Sequence, residues 1–264
     1  MKKESKRRTT LDRKVSFVLR ILVIACMIFQ LIRGEIGNAL LCVLTLVLFT
    51  LPYFFQRTFK FRLPVTFEVI VYLFIFAAEI LGEIYNFYGN IIGWDTLLHA
   101  INGFICAGVG VGLIEMLNSN SSKIKLSPLY VALIAFCTSM TIGVCWEFFE
   151  YAADNLVKTD MQKDSIVQTI STVTLNPNGE NKAVIIKDID KTVLYDKDGE
   201  VLAVIEGGYL DIGLNDTMKD LMVNMVGAVV FSIFGFFYEL NNDKYKFAGN
   251  FIPRKNDKPP SQNS

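Results

Sequence analysis

An all-α polytopic membrane protein is the fold class this sequence predicts, with six transmembrane helices and a small extracytoplasmic β-meander inserted between helices five and six. Three observations carry that reading. The 264 residues are 52% hydrophobic with a mean hydropathy of +0.38, and the apolar residues gather into six nearly charge-free runs of roughly 18–22, the length a helix needs to cross a bilayer. Basic residues concentrate in alternate loops. One long polar stretch, residues 154–215, breaks the apolar pattern and is rich in β-branched and turn residues. The 26 basic and 26 acidic side chains balance. A soluble enzyme, a nucleic-acid binder and a disordered chain are all excluded as classes.

The elements follow in order. Residues 1–14 form a basic N-terminus, and spans one and two cover residues 15–32 and 36–55 around the turn Arg33-Gly34-Glu35. Val23-Ile24-Ala25-Cys26 resembles a lipoprotein cleavage box, but apolar residues continue to Ile32, so an uncleaved first span is expected. Span three runs from after Pro64 to near Gly82, span four over 97–117, and span five over 129–151. Helices one to five thus occupy residues 15–153, span six lies within 216–240, and residues 241–264 form a tail expected to be disordered from Asn256.

Arg57, Lys60 and Arg62 lie between spans two and three, Lys123 and Lys125 between four and five, and Lys244 and Lys246 after span six. An excess of Lys and Arg marks cytoplasmic loops, so both termini are expected in the cytoplasm and the insert outside. The aromatic residues Tyr85, Phe87, Tyr88, Trp94, Trp146 and Tyr151 then fall at outer ends of spans, where amphipathic rings suit the interface. Within the insert, residues 166–175, 183–187, 192–195 and 200–205 read as strands, with turns at Asn176-Pro177-Asn178-Gly179 and Asp196-Lys197-Asp198-Gly199. The acidic spacing at Asp196, Asp198 and Glu200 resembles part of a calcium loop but is too short for one, and a plain hairpin turn is expected. All five cysteines lie inside apolar runs, expected there as small core residues rather than as a disulfide framework or a thiolate zinc site.

Ionisable residues inside spans are costly and mark functional sites. Span four opens with Asp95 and His99, span five ends with Glu147, Glu150 and Asp154, span six opens with Asp216 and Asp220 followed by Asn224, and span three contributes Glu79 and Glu83. Spacings of three, four and seven place each set on one helix face. The inferred topology puts all four sets at the outer side. A shared polar pocket is therefore expected, with His99, Glu147, Glu150 and Asp220 at its centre and Glu79, Asp95, Asp216 and Asn224 in support. So many carboxylates cannot all stay ionised side by side. Either several hold protons or a divalent metal neutralises them, and a His/carboxylate set accepts zinc, manganese, magnesium or calcium. No organic cofactor is called for. Glu147 and His99 would be the catalytic pair, as base or ligand and as ligand or acid.

Structural readings stand beside these. Asp95 and Asp216 occupy positions expected of helix N-caps, and Thr217-x-x-Asp220 has the form of a capping box. Glu147 and Glu150 are expected near a helix C-terminus, where the macrodipole disfavours anions and a structural role is poorly motivated. Glu83 and Asp154 read as solvated interface residues, and Glu68 as a boundary charge.

The order Asp95-x-x-x-His99, Glu147-x-x-Glu150 and Asp220-x-x-x-Asn224-x-x-Gly227 resembles the VanZ-like superfamily of small bacterial membrane proteins. Trp146-Glu147-x-x-Glu150-x-x-x-Asp154 and Asp216-Thr217-Met218-x-Asp220 are similar to its YjdF-like branch of uncharacterised inner-membrane proteins. Thr96 stands where VanZ-like proteins commonly carry a basic residue, Glu150 where they carry Gln, and the long insert is unusual. The resemblance implies a multi-pass protein of the bacterial plasma membrane with a role in the cell envelope. Two readings from different classes follow: a metal-assisted or acid–base hydrolase or transferase acting on a lipid-linked or envelope substrate, or a non-catalytic binding, assembly or resistance factor whose polar cluster is structural. A cation-coupled transporter is a third reading. It lacks the inverted repeat and broken helix pair such carriers show.

Overall fold

The computed structural model describes residues 2–59, 61–120 and 126–255. The loop lysines Lys60, Lys123 and Lys125 and the tail from Asn256 lie outside the described residues. Six helical stretches among the described residues are long and apolar enough to cross a membrane, as the hydrophobic runs predict. The chain forms two compact units, one of Met1–Val144 with Leu221–Ser264 and one of Cys145–Asp220.

The first unit begins with α1 (Lys2–Ile32), which turns at Gly34 into α2 (Ile36–Leu48). Gly34 has φ of +78°, a left-handed conformation that favours glycine. The second span is broken. α2 ends at Leu48 and α3 (Leu51–Phe59) begins three residues later, because Pro52 has no N–H and its ring would collide with the carbonyl four residues back. Arg20 supports the break from α1. Its Nη2 donates to the Phe49 carbonyl at 2.8 Å and its Nε to Ser16 Oγ at 3.3 Å, while the guanidinium lies 5.6 Å from the centre of the Phe49 ring. The charge that interrupts span one therefore serves an orphaned carbonyl in span two.

After β1 (Phe61–Arg62), α4 (Val65–Phe76) continues into a π-helical stretch, Ala77–Ile84, so the C-terminal half of span three is wider than the α-helix the sequence predicts. Glu68, expected as a plain boundary charge, accepts a hydrogen bond from the Tyr72 hydroxyl at 3.2 Å. A short helix α5 (Phe87–Asn90) leads into α6 (Trp94–Asn120), and α7 (Pro128–Leu156) and α8 (Leu214–Leu240) complete the spans. Two apolar clusters build this unit. Leu19, Val23, Cys26, Cys42, Phe49, Tyr72, Ile75 and Ile80 join the first three spans. Phe67, Ala107, Val111, Ile114, Val131, Ala135, Phe231 and Ile252 join the third to the last three. α4 serves both. Past α8 the chain folds back through a 3₁₀ turn, Ala248–Asn250, packs Phe251 against Phe104 with ring centres 5.6 Å apart, and pairs β8 (Arg254–Lys255) with β1. That return was not visible in the sequence, since nothing in a short polar tail announces a distant partner strand.

The second unit holds the β-rich insert as three antiparallel ladders. β2 (Ser165–Val167) pairs with β7 (Tyr209–Asp211), β3 (Ile170–Thr172) with β4 (Val184–Ile186), and β5 (Lys191–Tyr195) with β6 (Val201–Glu206). The last pair is the expected hairpin. The Asp196 carboxylate accepts the N–H groups of Asp198 and Glu200 at 2.9 and 2.8 Å, which makes it part of the turn.

Two expectations are corrected. Cys26, Cys42 and Cys106 are buried, but Cys137 and Cys145 are exposed on α7, so only three of the five are core residues. The caps also move. Gly93, with φ of +80°, lets α6 begin at Trp94, so Asp95 is the second helical residue rather than the cap. α8 begins at Leu214, where the Asp211 carboxylate accepts the Asn215 N–H at 2.8 Å, so Asp216 and the Thr217-x-x-Asp220 box lie inside the helix.

Candidate functional site

In the first unit α6 and α8 cross at backbone contact. A Cβ on Gly103 would lie 2.1 Å from the Asn224 carbonyl oxygen, and one on Gly227 would lie 1.9 Å from that of Ala100. Small residues permit such approach. Around this crossing the buried polar groups are paired. Asn224, 1% exposed, accepts a long hydrogen bond of 3.4 Å from Asn102 Nδ2 and donates to the Ser139 carbonyl at 3.5 Å. Ser139 Oγ in turn donates to the Gly103 carbonyl at 2.8 Å. Asn102 and Ser139 escaped the sequence reading. Ser139 lies one turn and two turns before Gly143 and Glu147 on α7, and that four-residue spacing was the available signal.

One turn before Gly103 along α6 stands His99, 9% exposed, with Asp95 Oδ1 3.4 Å from its Nε2. A carboxylate held against one ring nitrogen orients the imidazole. The separation also suits shared coordination, since two ligands about 2.1 Å from a tetrahedral zinc are about 3.4 Å apart. Glu79 lies half-buried on the π-helical stretch and Glu83 is exposed there.

In the second unit Glu147 and Glu150 are 5% and 6% exposed. Because α7 runs on to Leu156, both stand in a helix interior more than a turn from its end, and the macrodipole argument against a structural role does not apply to them. Trp146 Nε1 donates to Glu150 Oε1 at 2.8 Å, so Trp146 is a hydrogen-bond donor as well as an interfacial ring. Asp220 is 1% exposed, and Lys219 Nζ lies 3.6 Å from it and 3.0 Å from Asp216. Asp216 also accepts the Lys163 N–H at 2.9 Å, which gives it a structural task.

Asp154, expected as a solvated interface residue, is a staple. It accepts Thr159 Oγ1 and the Met161 N–H at 2.7 Å and the Gln162 N–H at 2.8 Å, and Gln162 Nε2 reaches Thr217 Oγ1. Hydrogen bonds to a charged acceptor contribute about 1.5–3 kcal/mol each where they are shielded, and less at an edge like this one. Asp154→Ala is therefore expected to speed amide exchange across residues 157–163 by at least tenfold while the membrane spans keep their protection. Unchanged exchange in that loop would remove the staple.

Six apolar spans that carry buried acids, buried amides and one imidazole define a polytopic membrane protein with a polar site. The chain belongs to the DUF2238 family, described as predicted membrane proteins, whose profile matches residues 15–241, from the first span to the end of the sixth. An uncharacterised protein of Thermotoga maritima is 24% identical over 146 residues, 55% of this chain and 74% of that protein. No solved structure matches the chain.

Proposed function

We propose that this is a multi-pass protein of the bacterial plasma membrane, with both termini cytoplasmic, that holds a divalent metal at its outer leaflet and uses it on a lipid-linked or envelope substrate. The observation that carries the reading is the buried imidazole of His99 with the Asp95 carboxylate 3.4 Å from it in an otherwise apolar span. Helix periodicity extends it. Gly103, Ser139 and Asn224 meet around one crossing, and His99, Glu147 and Asp220 are four, eight and four residues away from them along continuous helices, each on the same face. On this reading His99, Glu147, Glu150 and Asp220 supply ligands, Asp95 joins or orients them, and Glu79 and Asp216 shape the surroundings.

A metal held there would supply the compensation that buried carboxylates require and would activate a bound water. Glu147 would then serve as general base toward that water or as a ligand, and Asn224 holds the α8 face in place. The loop lysines and arginines support the orientation, and the resemblance to VanZ-like proteins supports a substrate of the cell envelope.

A second reading is favoured by the Asn102–Asn224–Ser139 network, whose side-chain hydrogen bonds tie three helices together. There the polar residues would only lock the bundle, and the chain would serve as a binding or assembly factor. Elemental analysis of protein purified without chelator separates the two. About one equivalent of zinc, manganese, magnesium or calcium is expected in the wild type. Absence of any such metal, together with no binding on titration, overturns the metal reading and leaves the scaffold.

A further inference from the structure

The first two spans take no part in that site, yet they bring two cysteines to the same level of one hairpin. α1 and α2 form an antiparallel hairpin about Gly34, with Cys26 eight residues before it and Cys42 eight after. The register is held on both sides of the pair. Toward the turn, Asn38 Nδ2 donates to Gln30 Oε1 at 3.4 Å, and away from it Arg20 grips the Phe49 carbonyl at 2.8 Å. Both cysteines belong to the same apolar cluster, at equal distances from the turn on the two packed helices. Cys42 is 0% exposed and Cys26 is 8% exposed. Tyr85, which is 50% exposed, neighbours Cys26.

We propose that Cys26 and Cys42 form a reversible dithiol–disulfide site that an organic disulfide oxidises, linking α1 covalently to α2. Cys26, the more accessible, loses its proton and attacks one sulfur of the small disulfide. The S–S bond of the reagent breaks and its first half leaves as a thiolate, which takes up that proton. Cys42, the more deeply buried, then loses its proton and attacks Cys26 Sγ in the mixed disulfide, and the second half leaves as a thiol. One S–S bond is broken and one is formed, the two protein thiols are oxidised, and the reagent is reduced to two thiols.

The other cysteines have no such partner. Cys137 and Cys145 stand eight residues apart on one helix, about 12 Å along its axis, beyond the reach of a disulfide. Cys106 lies in α6, where its thiol is 3.4 Å from Asn102 Oδ1.

The test uses the full chain in lipid nanodiscs with Cys137 and Cys145 replaced by serine, which leaves three thiols of the five. After treatment with oxidised glutathione, denaturing maleimide labelling should count one thiol instead of three. The intact mass should fall by the two hydrogens of an internal disulfide, digestion should yield a peptide pair joined through Cys26 and Cys42, and dithiothreitol should restore three. Cys42→Ser in the same background should instead trap glutathione on Cys26. Three thiols persisting in the oxidised protein, or a stable glutathione adduct while Cys42 is present, would overturn the proposal, as would a linked pair that includes Cys106.

Discussion

Gly227→Ala is expected to abolish the folded protein rather than weaken it. The added methyl would stand 1.9 Å from the Ala100 carbonyl oxygen and 2.9 Å from the Phe104 nitrogen, both backbone atoms of α6 that no rotamer change can move aside. Overpacking a filled interior costs about 1–3 kcal/mol where side chains can give way, and more where they cannot. Gly103→Ala meets the Asn224 carbonyl at 2.1 Å from the other helix and should behave the same way. Gly235→Ala is the matched control on α8. Its new Cβ finds only Val111 Cγ2 at 3.9 Å, and a helical glycine replaced by alanine gains roughly 0.5–1 kcal/mol. Monodisperse protein should elute from detergent size exclusion for Gly235→Ala and be lost for the other two. A well-behaved, thermally stable Gly227→Ala protein would show that the two backbones do not meet.

The second large effect separates metal binding from bundle stability. His99→Ala and Asp95→Ala are expected to fold with near-wild-type melting temperatures yet bind divalent metal at least 100-fold more weakly. Losing an orienting partner of a ligand already costs 10–100-fold in comparable sites, on the order of 1.4–2.7 kcal/mol. Asn224→Ala should show the reverse. It strips a 1%-exposed amide from Asn102 and Ser139, and leaving buried partners unsatisfied costs about 1–3 kcal/mol. Calorimetric titration beside thermal unfolding reads both quantities on the same samples. If His99→Ala instead aggregates while Asn224→Ala is silent, the imidazole is the structural lock and the catalytic reading falls with it.

Some of this was legible in the residues alone. Six apolar runs announce six spans because a bilayer offers no partner for a backbone group, so length and hydropathy decide the element. The hairpin at Asp196–Gly199 was equally plain, since an Asx residue and a glycine at those positions set the turn chemically. Helix ends were harder. Asp95 and Asp216 look like caps, yet Gly93 and Asp211 start the helices earlier, and Glu147 seemed terminal only because the polar residues after it were read as loop. Asp154 shows why: an acidic side chain in sequence carries no mark of the three donors that a folded-back loop brings to it.

The residue pattern by itself determined the membrane class, the count of spans and the helix face that each polar side chain occupies, because hydropathy and the 3.6-residue period act locally along the chain. Only the tertiary structure decided which faces meet. The backbone contact at Gly103 and Gly227, the service of Arg20 to a broken second span, the two cysteines gathered into one cluster across a hairpin and the return of the C-terminal segment to β1 all join residues far apart in sequence. Such pairings follow from close packing of whole helices, where a single missing Cβ sets the distance between two backbones and thereby the company every buried polar group keeps.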